Sequence, residues 1–280
     1  MKNYRLNLIL FILTFFTTTG AGMGLAYRGT LDLRLFLDGI SFSLSLMLIL
    51  GLHELSHYYA SEMHGVRATL PYFIPFPSII GTFGAFIRIK SPINNRKSLF
   101  DIGIAGPLAS FTISVPLFIL GLKLSRILPA PTETQAHIGL GESIIVWALT
   151  KLVYPGLPQN YDILLHPVGF AAWIGFWVTS INLIPISQLD GGHISYAVFG
   201  EKQRIISRIF FLALLPLGLL WPGWLIWALV IILFIKLDHP APIEPAFPLD
   251  RKRKYLSILA LIMLILTFMP SPFVKWKGNL

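Results

Sequence analysis

Long stretches without charge limit what this chain can fold into more than any other feature. Apolar runs occupy about residues 6–24, 38–60, 99–122, 167–186, 205–221, 223–237 and 255–270. Each comes close to the ~20 residues that carry a helix across the hydrocarbon of a bilayer. Of the 280 residues 55% are hydrophobic and only 12% charged, against about 25% charged in a soluble domain. The runs predict an all-α polytopic membrane protein with about six or seven transmembrane helices. A barrel would need segments of alternating polarity, which these are not. The chain has no cysteine, so thiolate metal sites and disulfides are excluded. Its net charge of +9 does not point to nucleic acid, because Lys and Arg flank the apolar runs as topology signals do.

Orientation follows from those basic residues. If the N-terminus is cytoplasmic and every run crosses, the outer face receives Arg28, Arg34, Lys123, Arg126, Lys151, Lys275 and Lys277. The remaining fifteen of the 22 Lys and Arg fall on the cytoplasmic face, as the positive-inside rule requires. The first run follows Lys2 and Arg5 and outlasts a typical signal-peptide core, so it reads as a retained anchor. The chain divides into an N-terminal segment with its outer loop (1–37), a membrane core (38–204) and C-terminal transmembrane helices (205–280).

Two regions break the helical pattern. Residues 70–92 carry prolines at 71, 75, 77 and 92 and glycines at 81 and 84. Proline interrupts helices, and "GTFGAFI" suits a short strand. Irregular backbone at membrane depth survives only when buried in protein or lining a wet cavity, so this stretch reads as a re-entrant β-hairpin-like segment beside a site. Residues 127–166 read as a polar outer loop whose apolar patch "IIVWALTKLVY" lies in the membrane interface.

The chemistry sits at the end of the second run, in "ILGLHELSHYYASEMHG". On a helix His53 and His57 share a face and converge on one ion, while Glu54 stands beside them to hold a water. That is the H-E-x-x-H arrangement of zinc hydrolases, two imidazole ligands and a general base. With seven histidines in 280 residues, a chance match is expected only about 0.004 times per chain. Catalytic zinc takes a third protein ligand and keeps a position open for water. Asp190 in "SINLIPISQLDGGH" is the candidate, since the fourth run ends on the same face as the second. Asp101 reads as a helix N-cap, Glu142 falls in the outer loop, and Glu62 and His64 read as surface residues. Asn182 either donates to a developing oxyanion or bridges helices.

"HELSH" followed by "NLIPISQLDGGH" resembles the paired signatures of the site-2 protease family of intramembrane zinc metalloproteases. Between them, "GTFGAFIRIKSPINNRKSLFDIGIAGPLAS" resembles that family's substrate-facing hairpin and the small-residue helix after it. The resemblance covers roughly residues 40–200 and looks most like the branch without PDZ or CBS domains. It implies one Zn2+ held by His53, His57 and Asp190, Glu54 as catalytic base and Asn182 as an active-site hydrogen-bonding residue. Gly81, Thr82, Phe83, Gly84, Ala85 and Phe86 would then form the substrate-binding strand. The implied partners are the lipid bilayer and membrane proteins with a transmembrane segment. The implied place is a bacterial plasma membrane, with the site toward the cytoplasm. A metal transporter would not need Glu54 between two ligands, and a di-iron oxygenase would need a second histidine–carboxylate cluster. An inactive, protease-like binding protein would not need an intact "HELSH" with Asp190.

Overall fold

In a computed structural model the described residues are 4–275, excepting 28, 30, 131–137, 159 and 247. Lys2, Arg28 and Lys277 of the charge count, and part of the 127–166 loop, lie outside them. Helix α1 (Arg5–Ala26) and helix α2 (Leu33–Met63) are followed by strands β1 (Tyr72–Pro75) and β2 (Thr82–Phe86), then helix α3 (Arg96–Leu124). Next come β3 (Arg126–Pro129), β4 (Ile138–Leu140), α4 (Ile144–Val153), β5 (Tyr161–Leu164), α5 (Pro167–Leu183) and α6 (Asp190–Phe199). The chain ends with α7 (Gln203–Leu217), α8 (Gly223–Val230) running into a π turn (Ile231–Ile235), α9 (Arg251–Thr267) and β6 (Phe273–Lys275).

The architecture is mainly helical, but three helices, not six or seven, are long and apolar enough to span a bilayer among the described residues: α1, α2 and α3. The difference has a simple cause. Helix α5 has 17 residues and so rises only about 26 Å. It stops at Leu183 because Pro185 lacks an amide proton and restricts the residue before it. The apolar runs in the sequence continue through Ile184–Ile186 and Gly218–Leu220 after the helices have ended. The chain is not purely α either. The expected hairpin is present as β1–β2, and two further antiparallel ribbons, β3–β5 and β4–β6, were not expected. Their strands are three or four residues long, too short for an alternation of side chains to register. The apolar patch in the 127–166 loop is helix α4, with Ile144, Trp147 and Leu152 exposed.

Helices α2, α3 and α5 form the centre. Phe42, Leu46 and Ile49 of α2, Phe118 and Leu122 of α3, and Trp173 and Phe176 of α5 are fully buried together. Glycine sets how closely they pack: a Cβ on Gly121 of α3 would overlap the backbone of Gly169 of α5. With no hydrophobic force between helices in lipid, such close backbone approach is what holds them. Polar bonds then pin the two ends. At one end Asp38 pairs with His166 at 3.5 Å, Tyr154 donates to the Leu122 carbonyl and Trp173 donates to Gly141. At the other end Asn7 of α1 donates to the carbonyls of Leu70 and Pro71.

That second end gathers the C-terminus of α2 and the N-termini of α3 and α9. Asn95 caps α3 by accepting from Lys97 and Ser98. Asp101, expected to be the cap, instead lies within α3 and accepts from His64 and Arg253. Asp250 caps α9 and also pairs with Arg253. The Arg253 amide and guanidinium hold the Asp250 carboxyl below the usual carboxylate range. The expected surface residue His64 is thus partly covered, whereas Glu62 is exposed.

Candidate functional site

The site is built where α2, α3, α5 and α6 meet. His53, Glu54 and His57 are buried near the C-terminal end of α2. Asp190 is the first residue of α6 and reaches them because the chain turns back sharply after α5. That turn needs its two glycines, since a Cβ on Gly191 would overlap the Leu183 carbonyl and one on Gly192 the Ser187 carbonyl. His53, His57 and Asp190 each offer a ligand atom, and the three atoms lie within 4.8 Å of one another. His57 Nε2 is 3.1 Å from His53 Nε2, and the two carboxylate oxygens of Asp190 lie 3.2 and 3.3 Å from the two rings.

Hydrogen bonding on the far side of each ring fixes what faces the centre. His57 Nδ1 is 2.6 Å from the carbonyl of Ile102 on α3. A carbonyl only accepts, so the proton is on Nδ1 and the Nε2 lone pair points inward. His53 Nδ1 rests on Ser110 Oγ at 3.1 Å. Asp190 Oδ2 is buried without a hydrogen bond. Two imidazole nitrogens and a carboxylate that meet at about 3 Å leave their donor atoms turned to one point, where a cation would satisfy all three. This donor set, with its supporting bonds, fits Zn2+.

The other expected residues are near at hand. The Glu54 carboxyl faces the backbone amide of Ile87 just past β2 and lies close enough to both histidines and Asp190 to feel their charge. Asn182 Nδ2 is 3.4 Å from His53 Nε2. In the hairpin Tyr72 pairs with Phe86 and Phe73 with Ala85. Gly81 turns it at φ +82° with α1 packed against its α-carbon, while Gly84, at φ +102°, faces open space. Thr82 is buried and donates to the Ile74 carbonyl, whereas Phe83 and Phe86 are exposed. Phe83 stacks on Phe76. Glu142 lies just before α4, away from the cluster.

The sequence reading missed the part played by α3. Gly103, Gly106, Ser110 and Ser114 recur at helical spacing, and this small-residue face is what α3 turns toward the site. A Cβ on Gly103 would stand 2.8 Å from His193 Cβ, and one on Gly106 would overlap the His57 ring. The stripe was visible in "DIGIAGPLASFTIS", but nothing in it says which helix it meets.

Comparison with known proteins gives the same picture. The model of peptidase family M50 matches residues 41–219. A probable zinc metalloprotease, EGY2, chloroplastic, of Arabidopsis thaliana is 32% identical over 250 residues, covering 89% of this chain and 44% of the relative. The EGY2 protein of Oryza sativa subsp. indica is 34% identical over 256 residues, 86% of this chain and 44% of the relative. The Arabidopsis EGY1 protein is 31% identical over 228 residues, 79% and 41% of the two chains. The chain therefore spans less than half the length of these relatives. No solved structure matches it. The relatives are named as chloroplastic, which does not support the bacterial plasma membrane expected from sequence.

Glycine at 106 is the most exacting of these positions, because His57 is pinned by Ile102 and cannot swing aside. Gly106→Ala should weaken Zn2+ binding on the order of 10–100-fold, the scale for disturbing a ligand's orientation. Alanine is otherwise the better helix former by about 1 kcal/mol. Chelator competition alongside thermal melting separates the two effects, and unchanged affinity would contradict the packing argument.

Proposed function

The chain belongs to peptidase family M50, and from that premise we propose that it is an intramembrane zinc endopeptidase. Its substrates are then membrane-tethered proteins cut within a transmembrane segment. The convergence of His53, His57 and Asp190 on one point carries the reading. Zinc held there supplies Lewis acidity, polarising a scissile carbonyl and lowering the pKa of a water toward ~7. Glu54 accepts the proton of the attacking water and returns it to the leaving amine, first base and then acid. The Asn182 amide donates to the carbonyl oxygen as charge builds on it. Residues 38–204 form the catalytic core of this reading, with 1–37 and 205–280 as flanking membrane segments.

We place the site on the basic-rich, cytoplasmic side, with α5, α7, α8 with its π turn and α9 crossing in addition to the three long helices. Helix α9 supports the crossing: its Arg253 meets Asp101 at the site end, while β6 beyond it pairs with β4 at the other. Asn95 and Arg253 both serve the fold, so exposed Lys252 and Asp162 are the positions to label. A cysteine replacing Lys252 should be protected from an impermeant thiol reagent in intact bacterial cells expressing the chain, and one replacing Asp162 should react. The reverse pattern would invert the topology.

A helical substrate hides its own peptide bonds, so it must unwind before cleavage. Strand β2 pairs with β1 on one edge and with no other strand among the described residues. An extended substrate segment would add to that free edge through backbone hydrogen bonds. Phe83 and Phe86 shape side-chain pockets there, with Gly81, Thr82, Gly84 and Ala85 setting the strand's path. A proline at Ala85 or Phe86 should therefore cost more cleavage than Phe83→Ala, because it removes a donor and adds a ring at the pairing edge. Normal cutting of a reporter by the proline variants, with zinc retained, would discard the strand.

The central test separates ligand from base. His53→Ala, His57→Ala and Asp190→Ala should each lower bound zinc and abolish cleavage of a transmembrane reporter. Glu54→Gln should keep the metal while slowing cleavage by about 10²–10⁴-fold, the usual share of general acid–base catalysis. Stoichiometric zinc and full activity in Asp190→Ala would overturn the ligand assignment.

A further inference from the structure

We propose that Ser110 and Thr179 are positioning residues of the metal centre, a hydroxyl relay that fixes which nitrogen of His53 carries its proton. The inference deepens the zinc-peptidase reading and rests on it. His57 takes its orientation from a backbone carbonyl, which no substitution removes. His53 does not. Its Nδ1 is 3.1 Å from Ser110 Oγ, which is 2.9 Å from Thr179 Oγ1, which in turn donates to the Gly175 carbonyl at 2.7 Å. Ser110 and Thr179 are fully buried.

Proton counting gives this chain a direction. Each hydroxyl has one proton and two lone pairs, and a carbonyl has no proton to give. Thr179 spends its proton on Gly175, so toward Ser110 it presents a lone pair. Ser110 fills that lone pair with its own proton, its other acceptors, the carbonyls of Gly106 and Pro107, being farther at 3.1 and 3.2 Å. Toward His53, Ser110 then has only a lone pair, and Nδ1 must donate. Were Ser110 to donate to His53 instead, two oxygen lone pairs would face each other at 2.9 Å with no proton between them. Ser110 can donate to His53 only if Thr179 turns its proton from Gly175 to Ser110, which gives up the shortest bond of the relay, at 2.7 Å. The arrangement that keeps the Thr179–Gly175 bond therefore leaves the Nε2 lone pair of a neutral ring aimed at His57 and Asp190.

The relay also joins three helices. Ser110 is on the small-residue face of α3, and Thr179 is on α5 one turn before Asn182. A neutral histidine with its proton on Nε2 presents no lone pair to a metal there, so losing the relay lets a non-binding form compete. Ser110 is the larger contributor, because without Thr179 its proton can still go to Gly106.

The test uses the purified full chain in detergent, with Zn2+ affinity read by chelator competition and geometry by the visible absorption of bound Co2+. Ser110→Ala should lower Zn2+ affinity about 10–100-fold and shift the Co2+ spectrum, with melting of the metal-free protein unchanged. Thr179→Val should lower affinity less, should add no further loss in the Ser110→Ala background, and should be rescued by Thr179→Ser. Wild-type affinity and spectrum in Ser110→Ala would overturn the proposal, and so would losses that simply add in the double variant. Should Ser110→Ala fail to fold, the Thr179→Val and Thr179→Ser pair decides, equal affinity for the two refuting the relay. His53→Ala separates this from the underlying reading. If it binds Zn2+ like wild type, the ligand assignment itself falls. If it loses the metal while Ser110→Ala does not, only the relay falls.

Discussion

Two imidazole nitrogens and a carboxylate held about 3 Å apart inside an apolar bundle cost free energy that a shared cation recovers. The arrangement depends on His53 and His57 meeting Asp190, which lies more than 130 residues farther along the chain. Much of the packing keeps them together. Helix α3 lies against α2 with glycine where the His57 ring must sit, and its Ile102 carbonyl turns that ring. The turn after α5 brings Asp190 back because Gly191 and Gly192 leave room for the backbone. In lipid, where helices gain little from burying apolar surface against one another, such close fits and buried hydrogen bonds are what define the fold.

The same end of the bundle is also where the charges collect. Asp101 joins His64 at the end of α2 to Arg253 at the start of α9, one residue before the carbonyl that orients His57. Partly buried ionic groups of this kind add little net stability on their own, but they fix the relative register of three helix ends. The hairpin is fastened to the site from the other side. Gly81 packs on α1, and the Ile87 amide meets Glu54. The residue assigned as base therefore lies near the end of the element assigned to grip the substrate.

The core of the site was legible because its chemistry is local. His53, Glu54 and His57 sit within one helical turn or so, where spacing dictates a shared face. Asp190 was legible by elimination and by its glycine-rich setting. Asp101 was misread because a carboxylate near a helix start is usually a cap, whereas here Asn95 starts the helix six residues earlier and leaves Asp101 free for Arg253. Helix length was less legible than apolar character. Hydropathy reports how apolar a run is, not where a proline ends its helix.

The sequence by itself determined the apolar segments and the histidine pair that shares a helix face with a glutamate beside it, because burial cost and helical period act on neighbours in the chain. Only the tertiary structure decided what stands behind each ligand. A serine in α3, a threonine in α5 and a carbonyl of Ile102 are unremarkable letters until packing brings them to a histidine. The direction of their hydrogen bonds then depends on distances of a few tenths of an ångström, and no pattern along the chain encodes these.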